Sequence, residues 1–219
     1  MTCYLTSELE RASCYRLLAS LVLPRPIALV SSRSAAGIPN LAPFSFFTVA
    51  AADPPVLSIS VDKRFGREPK DTRANILETG EFVINVVSEP IAVGMNTASL
   101  DWPSDVDEFE KAGLTAVYDT RCVAVPRVGE ALASFECRHV QSVTFGEWIV
   151  LFGSVLGIRC DPDLLDEAWR VDVDRLQPVG RLSGNQYCYV RDRFSMARDA
   201  DRPDNALGTM KAVTQELGR

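Results

Sequence analysis

At 219 residues with 47% hydrophobic side chains, the chain carries enough apolar surface for one sizeable core, and its formal charge of −6, with 23 lysines and arginines in no dense run, argues against a nucleic-acid partner. Six scattered cysteines without a CxxC spacing, and a single histidine, His139, argue against a structural zinc site, so no metal is expected. No basic segment followed by an apolar core opens the chain, and the longest apolar runs, such as 149–158, are too short and glycine-broken to span a bilayer; a cytoplasmic protein without membrane contact is expected.

In chain order, Ser7 and Glu10 form a capping box ahead of Leu9, Ala12, Leu17, Leu18 and Leu21, the period of a helix that Pro24-Arg25-Pro26 stops. Residues 27–31 read as a buried strand, a turn ends in Gly37, and residues 40–49 read as a second strand, giving a hairpin. A third strand covers 56–61. Asp71 is expected to cap a helix that ends at Gly80. Residues 82–87 are strand-like and 90–98 helical; further strands are expected at 121–125, 133–144 and 148–159, the last two joined by a tight turn at Phe145-Gly146-Glu147. Residues 101–113 form a long charged loop, and loops of that length are often functional. A polar tail begins near Arg191, so one domain over 1–190 with a tail at 191–219 is expected. Hairpins outnumber βαβ units. The chain is therefore mainly β, a closed antiparallel barrel of six or more strands with peripheral helices.

Three stretches bear on chemistry. Lys70-Asp71-Thr72 places a cation, a carboxylate and a hydroxyl at a helix start, which is either a capped surface helix or a cradle for an anion. In Asn40-Leu41-Ala42-Pro43-Phe44-Ser45-Phe46-Phe47, alternation puts Phe44 and Phe46 on one face and Ser45 and Phe47 on the other. Both faces then carry an aromatic, and something other than the barrel core must cover one of them. Asp107 and Glu108 read as a solvated helix start or as residues at a site mouth. A single histidine rules against a Ser/His/Asp set, His139 reads as a structural strand residue, and no GxGxxG follows a strand. No catalytic residue is assigned. Cys137 and Cys188 read as small buried hydrophobes.

The blocks PRPIALVSS (24–32), GIPNLAPFSFF (37–47), DPPVLSISV (53–61), KDTRANILETGEFVINVV (70–87), VDEFEKAGL (106–114) and GRLSGNQY (180–187) resemble, in order, those of the flavin reductase-like, FMN-binding split-barrel family that includes flavoredoxin. The resemblance implies a six-stranded antiparallel Greek-key split barrel and a homodimer with one FMN, or FAD, per subunit at the interface. It implies NADH or NADPH as electron donor, and a partner monooxygenase or other acceptor for the reduced flavin. On the same ground Lys70, Asp71 and Thr72 would hold the phosphate, with Arg64 a further candidate; Asn40, Ala42, Pro43, Ser45 and Phe46 would meet the ribityl chain or ring. Ser31, Ser32 and Ser60 at strand ends are either ligands or ordinary serines, and Arg181, Asn185 and Tyr187 would close over the cofactor. Where several relatives carry a histidine after the Gly146-type turn, this chain has Trp148, which can stack on a flat ring but cannot shuttle a proton. Two alternatives remain open: a flavin enzyme acting directly on a small organic substrate, and a non-catalytic FMN- or haem-binding module.

Overall fold

The computed structural model describes residues 1–62 and 70–196. Helix α1 (Arg11–Leu21) precedes the short strand β1 (Arg25–Pro26), and β2 (Ala28–Arg33), β3 (Pro39–Phe44), β4 (Phe47–Ala52) and β5 (Pro55–Asp62) follow. Helix α2 (Asp71–Thr79) leads into β6 (Glu81–Val86), and α3 (Ala92–Thr97), α4 (Glu108–Ala112), β7 (Ala116–Val117) and β8 (Arg127–Val128) lie before the long hairpin β9 (Ala133–Phe145) and β10 (Trp148–Cys160). Helix α5 (Val173–Leu176) and the small hairpin β11 (Val179–Arg181) and β12 (Tyr187–Tyr189) complete the described chain. No helix among the described residues is long and apolar enough to cross a membrane.

Seven strands form one sheet in the order β3-β2-β6-β9-β10-β5-β4, every pairing antiparallel. Strand β5 lies on the far side from β2, so the connection carrying α2 returns the chain to β6 at the side of β2. Strand β3 also packs against β5, which curls the sheet into a barrel. The curl has a local cause in β10, whose register shifts at Phe152/Gly153 and Val155/Gly157 are bulges that bend the strand. Gly153 is obligatory there, since a Cβ would lie 2.3 Å from the Phe82 ring inside the barrel.

Alternation along β2 explains the two-layered core. Ala28 and Val30 point into the barrel with Phe44, Ile59, Phe82, Ile84 and Leu151. Leu29, with Leu41 of β3, points outward and is covered by Met95 of α3 and Phe109 of α4. Helix α3 seats closely on α4 because residue 94 is glycine: a Cβ would stand 2.9 Å from both the Ala112 carbonyl and Leu114. This contact fixes α4, and α4 carries Glu108.

The mainly β antiparallel fold agrees with the sequence; four details differ. The stretch 40–49 is two strands, because the chain breaks at Ser45-Phe46 and β4 joins β5 instead of β2, so the sheet has seven strands. The break also resets the alternation, so Phe44 and Phe47 pack on the core while Phe46 turns outward. Residues 121–125 form no strand; the Arg121 and Cys122 amides donate to Glu136 Oε2 at 2.9 and 2.6 Å, and Ala124 donates to Glu81 Oε2 at 2.8 Å. Carboxylates there replace a backbone partner. Neither expected cap forms: Glu10 is the N-cap of α1 and Lys70 that of α2, both without a side-chain cap bond, and Asp71 is the first helical residue. The α2 stop is as expected, with Gly80 left-handed at φ 74°.

Candidate active site

A cavity of about 430 Å³ opens at the edge of the barrel, within the range of small-molecule sites. Strand β3 and the residues after it supply Asn40, Ala42, Pro43 and Ser45; the start of α2 supplies Lys70, Asp71 and Thr72. Helix α1 adds Tyr15, Arg16 and Ala19, and the β11–β12 hairpin adds Arg181, Asn185 and Tyr187. Met95 and Glu108 reach it from α3 and α4.

The cations of the wall are differently employed. Arg25 is buried, and its guanidinium donates to the carbonyls of Ala19, Val22 (3.0 Å) and Leu182 (2.8 Å), tying the end of α1 to the β11–β12 hairpin. Arg181 donates to the Tyr187 hydroxyl and the Gly184 carbonyl. Lys70 pairs with Asp62 at 2.9 Å while half exposed, so its ammonium stays within reach of solvent. Among the described residues the Lys70 side chain makes no cap bond to the first turn of α2; the Arg73 amide donates to the Lys70 carbonyl at 2.9 Å, and a helix leaves the amides before it without intrahelical partners. Those amides, of Asp71 and Thr72, belong to residues lining the cavity.

The burial of Glu108 is unexpected. Its neighbour Asp107 caps α4, accepting from the Phe109 amide at 2.8 Å, so the helix start is real, but Glu108 is only 6% exposed and not solvated. The Leu41 amide donates to its Oε2 at 3.1 Å. Burial pushes its carboxyl up to about 7, the like charges of Asp71 and Asp107 push the same way, and hydrogen bonds from its own backbone and from Leu41 oppose them. Asn40 sits beside it and reaches the hydroxyls of Ser32 and Thr72 at 3.2 and 2.9 Å.

Of the residues singled out from sequence, Asn40, Ala42, Pro43, Ser45, Lys70, Asp71, Thr72, Arg181, Asn185 and Tyr187 share this cavity. Others, Asp107 among them, stand outside its lining. Ser31 is buried and donates to the Pro126 carbonyl at 2.6 Å. Ser32 is buried behind Asn40 and also meets Asn75 at 3.2 Å. Ser60 sits in the β5–β10 ladder opposite Val150. Phe46 and Trp148 stack on each other with centroids 5.2 Å apart at 18°, and Tyr15, which does line the cavity, is 6.3 Å from Trp148. Trp148 thus finds an aromatic partner within the chain. His139 lies on β9 opposite Gly153, outside the lining. Arg64 lies outside the described residues.

The flavin reductase-like domain family matches residues 20–194. The chain belongs to that family. Among solved structures it is similar to nitrilotriacetate monooxygenase component B from Bacillus cereus, at 31% identity and a TM-score of 0.85, over 90% of this chain and 98% of that one. It is similar to the 2-nitrobenzoate 2-nitroreductase NbaA of Pseudomonas fluorescens, at 34% identity and 0.84, over 93% and 99%. A Shewanella frigidimarina protein assigned as a flavin reductase with a split barrel domain shares the fold at 21% identity and 0.79, over 91% and 100%. The barrel is a split barrel. Sequence reasoning did not single out Arg25 or Tyr15 for the site, and for Glu108 it weighed a solvated helix start against a place at a site mouth, of which the structure shows the second; the one available sign was its position in a long charged loop.

Proposed function

We propose that the protein is an FMN-dependent oxidoreductase, an NAD(P)H:flavin reductase that passes reduced flavin or electrons to a partner monooxygenase. The observation that carries the reading is the cavity itself, which joins an uncapped helix start with Lys70 and Thr72 at one end to β3 and its N–H-less Pro43 along the wall. FMN fits these residues: the α2 amides, the Thr72 hydroxyl and the Lys70 ammonium suit a phosphate, Asn40 and Ser45 suit a polyol chain, and Ala42, Pro43, Tyr15 and Met95 offer surface for a flat ring. FAD fits the same phosphate end. A bound flavin would supply the redox chemistry, accepting a hydride from NADH or NADPH and giving electrons onward. The chain's own residues bind and orient it, α1 and the β11–β12 hairpin limit water at the mouth, and Glu108 holds a proton at the wall. A cytoplasmic homodimer is part of this reading; α1 beside the cavity exposes Leu17, Leu18 and Leu21 for a second copy to cover.

The test compares two ligands. In the double variant Lys70→Ala, Thr72→Val, one charge-assisted bond and one hydroxyl bond are lost, so FMN affinity should fall on the order of a hundredfold while riboflavin, without phosphate, is nearly unaffected. An unchanged ratio of the two affinities would place the phosphate elsewhere. Anaerobic bleaching of the bound flavin by NADH or NADPH tests the reductase step. A second reading, direct reduction of a small organic substrate, is favoured by the 34% identity to a nitroreductase across 93% of the chain. Under it, a nitroaromatic would consume NAD(P)H in step with its own reduction, without a partner protein.

A further inference from the structure

Glu108, Asn40 and Thr72 form a chain of polar groups leading from a buried carboxyl to the start of α2, and the Asn40 amide can lie in it either way. With Nδ2 toward the hydroxyls, it donates to Ser32 Oγ at 3.2 Å and Thr72 Oγ1 at 2.9 Å. Turned over, Nδ2 stands 3.3 Å from Glu108 Oε1, and Oδ1 accepts from Ser32, Thr72 and the Leu41 amide. The two arrangements differ at the Leu41 amide, whose nitrogen stands 3.2 Å from Nδ2 in the first and then donates only to Glu108 Oε2, and at the Glu108 carboxyl itself. In the first, the amide oxygen faces a carboxyl oxygen, two acceptors that tolerate each other only with a proton between them. In the second, an N–H faces the carboxyl, which suits the ionised group.

We propose that Glu108 is a positioning residue that sets, through Asn40, whether the Thr72 hydroxyl can donate to an anion held at the start of α2. With Glu108 protonated, its O–H is taken by Asn40 Oδ1, and Thr72 accepts from Nδ2 and keeps its own hydrogen for the ligand. With Glu108 ionised, Asn40 turns over, the Thr72 hydrogen is spent on Oδ1, and the hydroxyl presents only lone pairs to the anion. Anion binding therefore takes up a proton from solvent onto Glu108. This rests on the assignment of the flavin phosphate to Thr72 and Lys70.

The surroundings support titration in the useful range. Burial first, and the facing carboxylate of Asp71 on α2 with that of Asp107 on its own turn, raise the Glu108 carboxyl to about 7. Helix α3 and strand β3, packed against α4, contain no titratable side chain, and Glu110 and Lys111 are the other charges on α4 itself. The cations Lys70 and Arg181 stand across the cavity, Lys70 already paired with Asp62.

The experiment measures FMN and riboflavin affinity by fluorescence quenching from about pH 6.5 to about 8.5, a window above the phosphate's second pKa near 6. Three proteins are compared: the parent, Glu108→Gln and Thr72→Val. In the parent, FMN affinity should fall about fivefold relative to riboflavin as pH rises, as expected if the anion shifts the carboxyl by about one unit. Both variants should be flat. If Glu108→Gln does not fold, Thr72→Val decides alone. A parent profile retained in Thr72→Val overturns the relay in favour of a through-space charge effect, and a parent profile retained in Glu108→Gln overturns any role for Glu108. FMN binding that responds to pH in neither parent nor variants, but is weakened by Thr72→Val, overturns this inference and leaves the phosphate assignment standing. FMN and riboflavin binding equally well to parent and Thr72→Val overturns both.

Discussion

Helices α1 and α2 border the same cavity and are held in opposite ways. Helix α2 buries Thr72, Asn75 and Ile76 against the barrel, and Ile76 belongs to the central core. Helix α1 buries only Ala19, and its leucines face outward, Leu18 at 57% and Leu21 at 78% exposure. What keeps α1 in place is largely polar, the Arg25 guanidinium on its last carbonyls and the Ser20 hydroxyl 2.7 Å from that of Ser183, with Tyr15 set against the Phe46 and Trp148 rings. One wall of the cavity is therefore tied into the barrel core, and the other is fastened to its outside. On the proposed reading, a flavin would meet a preorganised anion end on α2 and an adjustable side on α1.

The sharpest way to break this comparison is to remove the anchor of α2. Ile76→Ala should cost about 2 to 5 kcal/mol, because a fully buried branched side chain leaves a cavity that a packed barrel fills only in part. Urea melts followed by tryptophan fluorescence and by circular dichroism should shift together; a loss under about 1 kcal/mol would mean that α2 is only fastened on, like α1.

Glu108 gives the next largest effect, and its sign follows from linkage. Its folded-state carboxyl titrates at about 7 against 4.5 ordinarily, so its contribution to stability is fully present below about 4.5 and is lost as pH rises through about 7. Glu108→Gln removes that loss. Relative to the parent, the variant should gain stability between these limits, by up to about 3 kcal/mol above pH 7, with no relative gain at pH 4. Parallel stability curves for the two proteins would mean that the carboxyl is not raised.

The contrast between the walls also marks what the sequence could say. The α2 side was legible: the helix that starts at Lys70-Asp71-Thr72 and stops at Gly80 was expected, and Lys70, Asp71 and Thr72 share one cavity with Asn40, Ala42, Pro43 and Ser45, because short-range patterns decide where a strand ends and a helix begins. Even there the cap was misread, since Asp71 lies one residue inside the helix. Features set by distant contacts were not legible. Glu108 lies beside an ordinary N-cap, and only the docking of α4 on β3 and α3 buries it. The amphipathic period of α1 foretold a helix correctly, but period cannot tell a face packed on the barrel from one left open. Trp148 was expected at a flat ligand; its partners Phe46 and Tyr15 come from separate segments brought together by the break after β3 and by α1.

A smaller effect should come from Arg25→Gln. The carbonyls of Ala19, Val22 and Leu182 would turn to water, so global stability should fall by only about 1 to 2 kcal/mol. The change should be local: amide hydrogen exchange in α1 should accelerate while β6 and β9 keep their protection. Equal acceleration in the barrel strands would show that α1 is part of the cooperative core after all.

The smallest effect on the fold, and the most informative about assembly, is expected from Leu18→Glu with Leu21→Glu. Both side chains are largely exposed in the single chain, so the double change should move its stability by about 0.5 kcal/mol or less. Leu17, Leu18, Leu21 and Val22 nevertheless form a continuous apolar surface next to Tyr15 and Ala19 at the cavity. If a second copy covers that surface, two carboxylates placed within it must be desolvated or excluded, and the dimer constant should weaken on the order of a hundredfold or more. Light scattering at micromolar concentration would then give a dimeric mass for the parent and a monomeric one for the variant, with the same thermal midpoint at high dilution. Flavin retention adds the decisive contrast. A variant that becomes monomeric and loses FMN, although Lys70, Thr72 and Asn40 are untouched, shows that the α1 side of the cavity is completed only in the assembly. A variant that becomes monomeric and keeps FMN shows that α2 and β3 suffice, and a variant with the parent's mass moves the interface away from α1.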